Sequence, residues 1–484
     1  MQHFISVEDL PEYHENLLIV KMMPSAQPQL AAPRRGVRGV SADRSEPSAG
    51  ISALEFYERG GMIKRVTPVS RTAAPKQMRG GMRAMATMAT SLSEADREAP
   101  GLASGVNVIE MIEDNHVDDL RMALARDPNV EFVSRVARRY VMAAKKSRPG
   151  KEMTIAANAP NLSQMWNLKK IKWQDVRSRR GIKDAIGIKV AVLDTGIDVD
   201  HPDLKGQIKS YSFANLDLSR PSGDKDIIGH GTHVAGTIAA KINNNLGING
   251  VCNCDLRIWK IFDDVADYIS MRSGYAYFVD PIMYFRALAD CIEQQVDVVN
   301  LSIGGGGAPD AFESSLFANL IAGGTTVVAA MGNEREYGSP TSYPAAIPGV
   351  IAVGATKIDD KVASFSNRGN HISISAPGVG IWSTLPQNPG QFGFRAERGS
   401  DGWPREGKPL RRETDYDAWD GTSMATPHVA AAAALLIANR GKMSPANVNA
   451  RLKSTAYRVK SMKKKTFHPD YGAGRLDLLK LLTS

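Results

Sequence analysis

One stretch near the end of the chain reads Asp420-Gly421-Thr422-Ser423-Met424-Ala425-Thr426-Pro427-His428 and continues into the apolar run Val429–Ala438. This run predicts a buried helix whose alanines pack closely, with Gly441 as its C-terminal stop. Pro427 is tolerated close to a helix start, where few backbone N–H groups have helical partners. Ser423 is thereby placed at a helix N-terminus, where the helix dipole and the free N–H groups favour negative charge.

Two interpretations of Ser423 follow from this position. A serine at a helix start is commonly an N-cap, and for a lone serine that is the usual role. The alternative is a catalytic nucleophile, which requires a general base, an orienting carboxylate and an oxyanion donor elsewhere in the chain. The rest of the sequence must decide between them.

The composition is that of a globular protein. The chain has 484 residues, 43% hydrophobic and 23% charged, which is enough for a large core in two domains or one domain with an appendage. The net charge of +9 is scattered along the chain and does not predict nucleic-acid binding. The three cysteines, Cys252, Cys254 and Cys291, are too few for a disulfide framework and lack the second pair of a zinc site.

Targeting signals are not visible in the sequence. The N-terminus carries acids and no apolar segment of the kind that a secretory signal requires. No apolar run approaches the length of a membrane span. We therefore expect no membrane partner and a cytoplasmic location, unless the start codon is misplaced or export uses another route.

The first 145 residues predict a small α+β domain. The alternating or apolar segments indicate four strands, at Leu17–Met23, Met62–Val69, Val106–Ile112 and Asn129–Val136. Two short helices are predicted, at Ile51–Arg59 and from Asp114 or Asn115 to Arg126. A segment rich in Ala, Gly, Pro and Met interrupts this domain at about 71–104, and residues 146–160 are polar and typical of a linker or processing region.

From Trp166 onward the pattern becomes α/β. The predicted strands are Ile188–Leu193, Leu256–Ile261, Val296–Ile303, Thr325–Ala330 and Val350–Val353, and the predicted helices are His230–Ile242, Tyr284–Gln295 and Ala311–Ala322. This alternation predicts, over residues 161–484, a mostly parallel sheet with helices on both faces. Ligands of such sheets bind at the carboxyl ends of the strands.

Three further polar motifs lie at strand ends or helix starts. Asp194 follows the first buried strand in Asp-Thr-Gly-Ile-Asp, and His230 opens the next helix in His-Gly-Thr-His-Val-Ala-Gly-Thr. Asn333 follows the predicted strand Thr325–Ala330 in Met-Gly-Asn-Glu. Each has an ordinary alternative, since Asp and Asn are common in turns and a single His is more often structural.

Together these motifs resemble those of the subtilisin-like serine peptidases, from about Trp166 to Leu482. The chain order Asp, His, Ser is the order of that family, and three such long motifs are very unlikely to coincide. The resemblance implies that Ser423 is the nucleophile, that His230 rather than His233 is the general base, and that Asp194 orients it. It also implies an oxyanion hole made by Asn333 and the Ser423 N–H. His233 and the histidine after Pro427 then have packing or hydrogen-bonding roles.

The same resemblance implies an extended substrate strand beside Asn300–Gly305, where glycines allow close approach. The residues expected to bind substrate, including a first specificity pocket, are Ser302, Ile303, Gly304, Gly305, Ala330, Gly332 and Ser342. Glu334 is expected at the rim of that pocket, where it would tolerate a basic side chain. A broad preference for large apolar residues is the alternative.

A structural Ca²⁺ ion is a further implication. Its expected ligands are Asp203, Ile242, Asn244, Leu246 and Ile248, which supply side-chain and backbone oxygens of the kind that Ca²⁺ prefers. The loop is one residue longer than the family pattern, and the N-terminal Gln ligand has no clear counterpart. An Asn-rich turn without metal is the alternative.

The N-terminal domain resembles the propeptide of this family, which is an intramolecular inhibitor. We therefore predict a serine endopeptidase made as a zymogen, acting on protein or peptide substrates through an acyl-enzyme; a non-catalytic binding or scaffold protein is the alternative. Leu385–Trp419 is longer than the family pattern and leads into the Ser423 motif. It is predicted to form a flap or partner surface, or else an inert loop.

Overall fold

The chain folds into two compact units. The computed structural model describes residues 10–23, 53–70, 103–141, 145–146, 165–213 and 220–484. One unit contains residues 13–137 and 309–316, and the other contains 1–12, 138–308 and 317–484. The predicted insertion at about 71–104 and the predicted linker at 146–160 lie almost entirely outside the described residues.

The smaller unit contains a four-stranded antiparallel sheet with the strand order β2-β3-β1-β4. Its elements are β1 (Tyr13–Met22), α1 (Ala53–Arg59), β2 (Ile63–Pro68), β3 (Val106–Met111), α2 (Val117–Leu124) and β4 (Val130–Ala137). Alternate residues of β1, Leu18 and Val20, point to one face and pack with Leu120 and Leu124 of α2. The predicted α+β domain is therefore confirmed, including its four strands and two helices.

The larger unit is built on a seven-stranded sheet, ordered β16-β15-β14-β12-β7-β9-β8, in which every neighbouring pair is parallel. Its strands are β7 (Lys189–Asp194), β8 (Ile208–Ser212), β9 (Asp255–Lys260), β12 (Val298–Leu301), β14 (Thr326–Ala330), β15 (Ile351–Thr356) and β16 (Ile372–Pro377). The central strands are buried along their whole length, so both of their faces are covered. The predicted fold class is confirmed.

The remaining helices follow residue 165, and the division between the two units falls within one of them, α7. They are α3 (Trp166–Lys170), α4 (Trp173–Arg177), α5 (His230–Ala239), α6 (Pro281–Glu293), α7 (Ala311–Ala322), α8 (Thr422–Arg440), α9 (Pro445–Thr455) and α10 (Leu478–Thr483). The helix predicted after Ser423 is α8, which is buried from Thr422 to Ile437 and ends at Gly441 with a φ of 82°. Its alanines admit close neighbours, and each fully buried Leu or Ile of this helix contributes about 1.5–3 kcal/mol to stability.

Shorter strands surround the parallel sheet. They are β5 (Tyr140–Val141), β6 (Lys145–Lys146), β10 (Asp267–Ser270), β11 (Gly274–Ala276), β13 (Ile303–Gly304), β17 (Ile381–Thr384), β18 (Gln391–Arg398), β19 (Pro404–Arg411) and β20 (Tyr416–Asp420). They form one sheet of order β10-β11-β18-β19, one of order β17-β20-β6, and the pair β13-β5. Among the described residues, no helix is both long and apolar enough to cross a membrane.

The strand order changes direction at β7. The chain continues from β7 to β8 and β9 on one side and then to β12 on the other. At such a switch point the connections leave the sheet in opposite directions and open a crevice at the carboxyl end of the strand. Asp194 is the last residue of β7 and therefore stands at that crevice.

Candidate active site

A buried carboxylate and a buried imidazole form the first part of the site. Oδ1 of Asp194 accepts hydrogen bonds from the Thr195 backbone N–H at 2.8 Å and from Nδ1 of His230 at 2.7 Å. Because a carboxylate only accepts, the proton of the neutral ring lies on Nδ1, and Nε2 is left as an acceptor. Among the described residues, His230 Nε2 has no hydrogen-bond partner. This is the arrangement of a general base held by an orienting carboxylate.

The start of α5 is fixed by Asp226, a residue that sequence analysis did not single out. Its Oδ1 accepts from the Thr195 hydroxyl and the Gly229 N–H, both at 2.7 Å. Its Oδ2 accepts from the Thr232 N–H at 2.9 Å and the Thr232 hydroxyl at 2.7 Å. One buried carboxylate thus ties the turn after β7 to the first turn of α5. It sets the position of His230 relative to the end of β7.

The indole ring of Trp419 links the N-terminus of α8 to that of α5. The Trp419 ring is 4.9 Å from the His233 ring, at an interplanar angle of 11°, and 6.2 Å from the His230 ring. Trp419 lies four residues before Ser423 in the chain. The N-termini of α5 and α8 therefore meet beside this indole, which sequence analysis noted only as part of an insertion.

Ser423 is the second residue of α8 and is buried. The N-cap of this helix is Gly421, so the N-cap interpretation of Ser423 is wrong. The Ser423 hydroxyl donates to the Ser302 carbonyl at 2.8 Å, and the Ser302 hydroxyl donates to the Ser423 carbonyl at 3.0 Å. Among the described residues the Ser423 hydroxyl makes no hydrogen bond to His230, and such catalytic contacts commonly tighten only when substrate binds.

Asn333 presents one end of its amide to the site. Its Oδ1 accepts from the Thr422 N–H at 2.9 Å and from the Thr422 hydroxyl at 2.8 Å. Since a backbone N–H can only donate, these bonds fix which end of the amide is the oxygen. Nδ2 is buried and has no partner among the described residues. A fixed, unused donor beside the start of α8 is suited to an oxyanion that forms there.

The groove beside Ser423 contains an extended segment of the chain itself. β5 pairs antiparallel with β13, with Val141 opposite Ile303 and Tyr140 opposite Gly304. On its other side the Arg139 carbonyl accepts from the Val279 N–H at 2.9 Å. Residues 303–304 thus pair with an extended backbone, as the substrate-binding prediction requires.

The segments of two other predicted pocket residues, Ser342 and Gly332, are hydrogen-bonded to Gly305 and to Thr422. The Gly305 carbonyl accepts from the Tyr343 N–H at 2.9 Å, which brings the segment of Ser342 next to Ser302–Gly305. Ala330 ends β14, and Gly332 has a φ of 108°, a conformation that favours glycine. The Ser342 hydroxyl is buried and has no partner among the described residues.

Glu334 differs from its expected place at the rim of the pocket. It is only 5% exposed, and its Oε2 accepts from Nδ2 of Asn367 at 2.8 Å. Burial raises the pKa of Glu334. A buried, internally bonded carboxyl is not available at a rim, so that expectation is wrong.

The comparisons with known proteins agree with this geometry. The sequence profile of the Subtilase family matches residues 185–474, which is more than half of the chain. The chain belongs to the subtilase family. It is 37% identical over 273 residues to Subtilisin amylosacchariticus from Bacillus subtilis subsp. amylosacchariticus, covering 56% of this chain and 60% of that protein. An Intracellular serine protease from Paenibacillus polymyxa is 38% identical over 271 residues, covering 54% of this chain and 68% of that protein.

A solved structure shares the fold of this subtilase. Fervidolysin from Fervidobacterium pennivorans, described as a keratinolytic enzyme related to subtilisin, matches with a TM-score of 0.59 at 27% sequence identity. The match covers 79% of this chain and 56% of fervidolysin. The chain thus spans less than two thirds of several of the relatives that it matches.

The expected calcium ligands of this subtilase are engaged with one another. Asp203 is fully buried, and its Oδ1 accepts from Nδ2 of Asn244 at 2.6 Å. Its Oδ2 accepts from the Ile248 N–H and the Tyr416 hydroxyl, each at 3.0 Å. Asn244 Oδ1 accepts from the Leu246 N–H at 3.1 Å.

A Ca²⁺ site requires six to eight oxygen acceptors that face the ion. Here hydrogen-bond donors face the Asp203 carboxylate, and a Cβ placed on Gly247 would meet the Tyr416 ring at 2.2 Å. The residues as arranged, with Ile242 at the start of the same loop, do not fit the calcium prediction. Within the described part of the chain, no three His, Cys, Asp or Glu side chains lie close enough to share a metal ion.

The two other histidines near the site are buried and hydrogen-bonded. His233 Nε2 lies 3.0 Å from the Ile381 carbonyl, and burial lowers the pKa of His233 to about 3. His428 Nδ1 lies 2.8 Å from the Met424 carbonyl, Nε2 lies 2.8 Å from Asn167 Nδ2, and burial lowers the pKa of His428 to about 4. Both rings are neutral at pH 7, and neither contacts the serine hydroxyl in the hydrogen bonds described.

The segment Leu385–Trp419 contains the hairpin of β18 and β19 and most of β20. β18 and β19 pair with each other, and β18 pairs with β11, Tyr275 lying opposite Phe394. Arg412 follows this hairpin and donates to the backbone carbonyls of Asp226 and Ile227, at 3.1 and 2.9 Å. The insertion is thereby fastened to the loop that precedes His230.

Proposed function

We propose that this subtilase is a serine endopeptidase that hydrolyses peptide bonds through an acyl-enzyme on Ser423. One observation carries the proposal: within the described part of the chain, the buried Asp194–His230 pair leaves His230 Nε2 as an acceptor without a partner, beside the helix start that holds Ser423. In this mechanism Nε2 takes the Ser423 proton as Oγ attacks the carbonyl carbon, and later gives it to the leaving amine. Asn333 Nδ2 and the Ser423 N–H stabilise the oxyanion.

The alternative is a binding or scaffold protein that keeps a peptidase fold. The four polar groups of the site favour the enzyme, because unpaired buried polar atoms cost stability and a scaffold has no need to retain them. His230 Nε2 and Asn333 Nδ2 are two such atoms among the described residues. They are the two that the chemistry would use.

The test is a comparison of two serines at helix starts. Ser423→Ala is expected to abolish hydrolysis of casein and labelling by a serine-reactive phosphonate while leaving the circular-dichroism spectrum unchanged. Ser444 caps α9, its side chain accepting from the Asn447 N–H. Ser444→Ala should lose about 1 kcal/mol of stability and keep its activity. Turnover by Ser423→Ala at the wild-type rate would refute the proposal.

We further infer that the chain is made as a zymogen and cleaves itself between Val141 and Lys145. The pairing of β5 with β13 supports this on one side of Ser423. On the other side β6 pairs antiparallel with β20, Lys145 opposite Asp420, immediately before the Ser423 motif. The chain between the two strands reads Met142-Ala143-Ala144. A substrate bound on both sides of a nucleophile presents to it a bond between the two bound strands.

Mass spectrometry of the purified protein tests this second proposal. We expect a mature chain that begins within residues 142–145, and a Ser423→Ala variant that stays full length until active enzyme is added. Identical processing in both proteins would refute self-cleavage. A mature N-terminus before Tyr140 or after Lys146 would refute the proposal that the cleaved bond lies between β5 and β6. Inhibition by the smaller unit is part of the same proposal, and adding residues 1–141 in trans to the mature enzyme should reduce its activity.

A further inference from the structure

An arginine side chain is held at the upstream end of the groove. Arg138 lies two residues before Tyr140, and its guanidinium carbon is 4.1 Å from the centre of the Phe278 ring. Its Nη2 lies 3.3 Å from Oδ2 of Asp267. The Arg138 side chain is only 12% exposed. A cation over an aromatic face and beside a carboxylate is bound by both of the interactions that recognise guanidinium groups.

The Phe278 ring that contacts Arg138 also contacts Tyr140. The Tyr140 and Phe278 rings make an edge contact with their centres 6.4 Å apart, and Tyr140 is bridged to Phe278 through the backbone. Residues two apart in an extended segment point to the same side. Arg138 and Tyr140 both contact the Phe278 ring, Arg138 over its face and Tyr140 in an edge contact. This ring is a recognition surface for a basic residue and for a large aromatic residue two positions later.

The surface formed by Asp267 and Phe278 is built around the sheet of order β10-β11-β18-β19. Asp267 is the first residue of β10 and lies opposite Ala276 of β11. Phe278 follows β11, and β11 is in turn paired with β18 of the insertion. The binding surface for Arg138 is thus built on β10, β11 and the segment after it, rather than on the parallel sheet that carries the catalytic residues.

The carboxylate beside Arg138 has a second cationic partner. Arg220 Nε lies 2.6 Å from Asp263 Oδ2, and Arg220 Nη1 lies 2.9 Å from Asp267 Oδ1. Burial raises the pKa of Asp263 to about 6. Two carboxylates thus share the guanidinium of Arg220, and one of them, Asp267, also pairs with Arg138. The neighbouring pair of Lys260 with Asp264, at 2.6 Å, is neutral in sum. When Arg138 leaves, Asp267 keeps its ion pair with Arg220, which it shares with Asp263.

We propose that Asp267 and Phe278 form a subsite for the arginine or lysine side chain of a substrate, two residues before the residue that takes the place of Tyr140. Arg138 occupies this subsite in the uncleaved chain and vacates it when the N-terminal segment is released. The proposal rests on the proposed peptidase function and names its substrate class: polypeptides with a basic residue upstream of the cleaved bond. A partly exposed ion pair and a cation–π contact together predict a roughly 5- to 20-fold preference in kcat/KM.

The experiment uses two internally quenched peptides that copy residues 137–147. They differ only in having arginine or citrulline at the position of Arg138, because citrulline keeps the shape of the side chain and removes its charge. The wild-type enzyme, in whatever processed form it is purified, should cleave the arginine peptide about 5- to 20-fold better. Asp267→Asn should bring the two values of kcat/KM to within about twofold of each other.

A matched control and a second variant complete the test. Asp401 pairs with Arg405 at the tip of the insertion hairpin and is exposed, and Asp401→Asn should keep the full preference. Phe278→Leu should lower the preference while keeping an apolar wall. Equal cleavage of both peptides by wild type, or an undiminished preference in Asp267→Asn, overturns the subsite. Failure of wild type to cleave casein or either peptide overturns instead the peptidase function on which it rests.

Discussion

The amide oxygen of Asn333 is held in place by two hydrogen bonds from Thr422. Two donors from Thr422 reach Oδ1, at 2.9 and 2.8 Å, and among the described residues none accepts from Nδ2. A donor that is fixed before the reaction begins costs no reorganisation when the oxyanion forms. Thr422 precedes Ser423, so the same short segment carries the proposed nucleophile and orients the donor that is proposed to stabilise the tetrahedral intermediate.

We therefore expect Asn333→Ala to lower kcat by about 10²–10³-fold with little change in KM, the usual cost of removing one oxyanion donor in subtilisin-type enzymes. Steady-state kinetics on a fluorogenic peptide measure both constants. Thr422→Ser keeps the hydroxyl and should remain near the wild-type rate. A large rise in KM with an unchanged kcat in Asn333→Ala would place this amide in ground-state binding instead.

A second prediction concerns the bond between Tyr416 and Asp203. The Tyr416 hydroxyl is one of three donors on a fully buried carboxylate, and a hydrogen bond to a charged group contributes about 1.5–3 kcal/mol. Tyr416→Phe should therefore lower the unfolding free energy by about that amount in urea titrations of the inactive Ser423→Ala protein. Tyr337→Phe, at a tyrosine that is 41% exposed, is the matched control and should have little effect.

The same bonds predict that stability does not depend on calcium. Excess EDTA, or millimolar Ca²⁺ added after it, should leave the melting temperature of the Ser423→Ala protein unchanged. A ligand present at 100 times its Kd would stabilise the native state by about 2.7 kcal/mol, which a thermal melt detects easily. An upward shift with Ca²⁺ that Asp203→Asn removes would show that this loop rearranges to bind the ion.

Much of this molecule could be predicted from local sequence. The apolar runs and glycine stops placed β7, β14, α5, α7 and α8 within a few residues. The buried face of α7 repeats with the helical period, whereas the other four elements are buried along almost their whole length. The catalytic candidates were recognisable because each lies in a long motif. Strand β19, Pro-Arg-Glu-Gly-Lys-Pro-Leu-Arg, has no such pattern and becomes a strand only through its partner β18.

The contacts that could not be predicted join distant parts of the chain. Asp226 resembles any turn aspartate until four donors are seen around it. Tyr416 is 213 residues away from Asp203, and no local signal marks it as the partner of that carboxylate. Glu334 was misjudged for a related reason, since its burial depends on Asn367, 33 residues further on. Periodicity and motif spacing carry no information on such pairs.

A fourth prediction follows from two neutral, buried histidines. The pKa of His428 is lowered to about 4 and that of His233 to about 3, whereas an unfolded imidazole titrates near ~6.5. Their contribution to stability is complete above that value. It is lost as the pH falls toward the native pKa values, because the unfolded state takes up protons that the native state does not. Lowering the pH from 7.5 to 5 should therefore reduce the free energy of unfolding by about 2 kcal/mol for each of the two histidines.

Urea unfolding of the Ser423→Ala protein at the two pH values measures this loss. His428→Gln should reduce the difference between them by about 2 kcal/mol. The same substitution at His116, whose side chain is 36% exposed, is the control and should leave the difference as it was. An unchanged pH dependence in His428→Gln would mean that this ring is protonated in the native state at pH 5.

The last prediction concerns Gly305, at the edge where the extended segment docks. A Cβ added there would lie 2.2 Å from the Arg138 carbonyl oxygen, so the bound backbone would have to move away. Gly305→Ala should raise KM for peptides that extend to the position of Arg138, and lower kcat/KM by about 10-fold, equivalent to ~1.4 kcal/mol of binding. Peptides that begin after that position should be affected much less, since they have no carbonyl at the point of contact.

At Gly306 an added Cβ would meet only the flexible end of the Glu12 side chain, at 3.2 Å, so Gly306→Ala is the matched control. Equal losses for long and short peptides in Gly305→Ala would indicate a distorted pocket rather than a blocked strand.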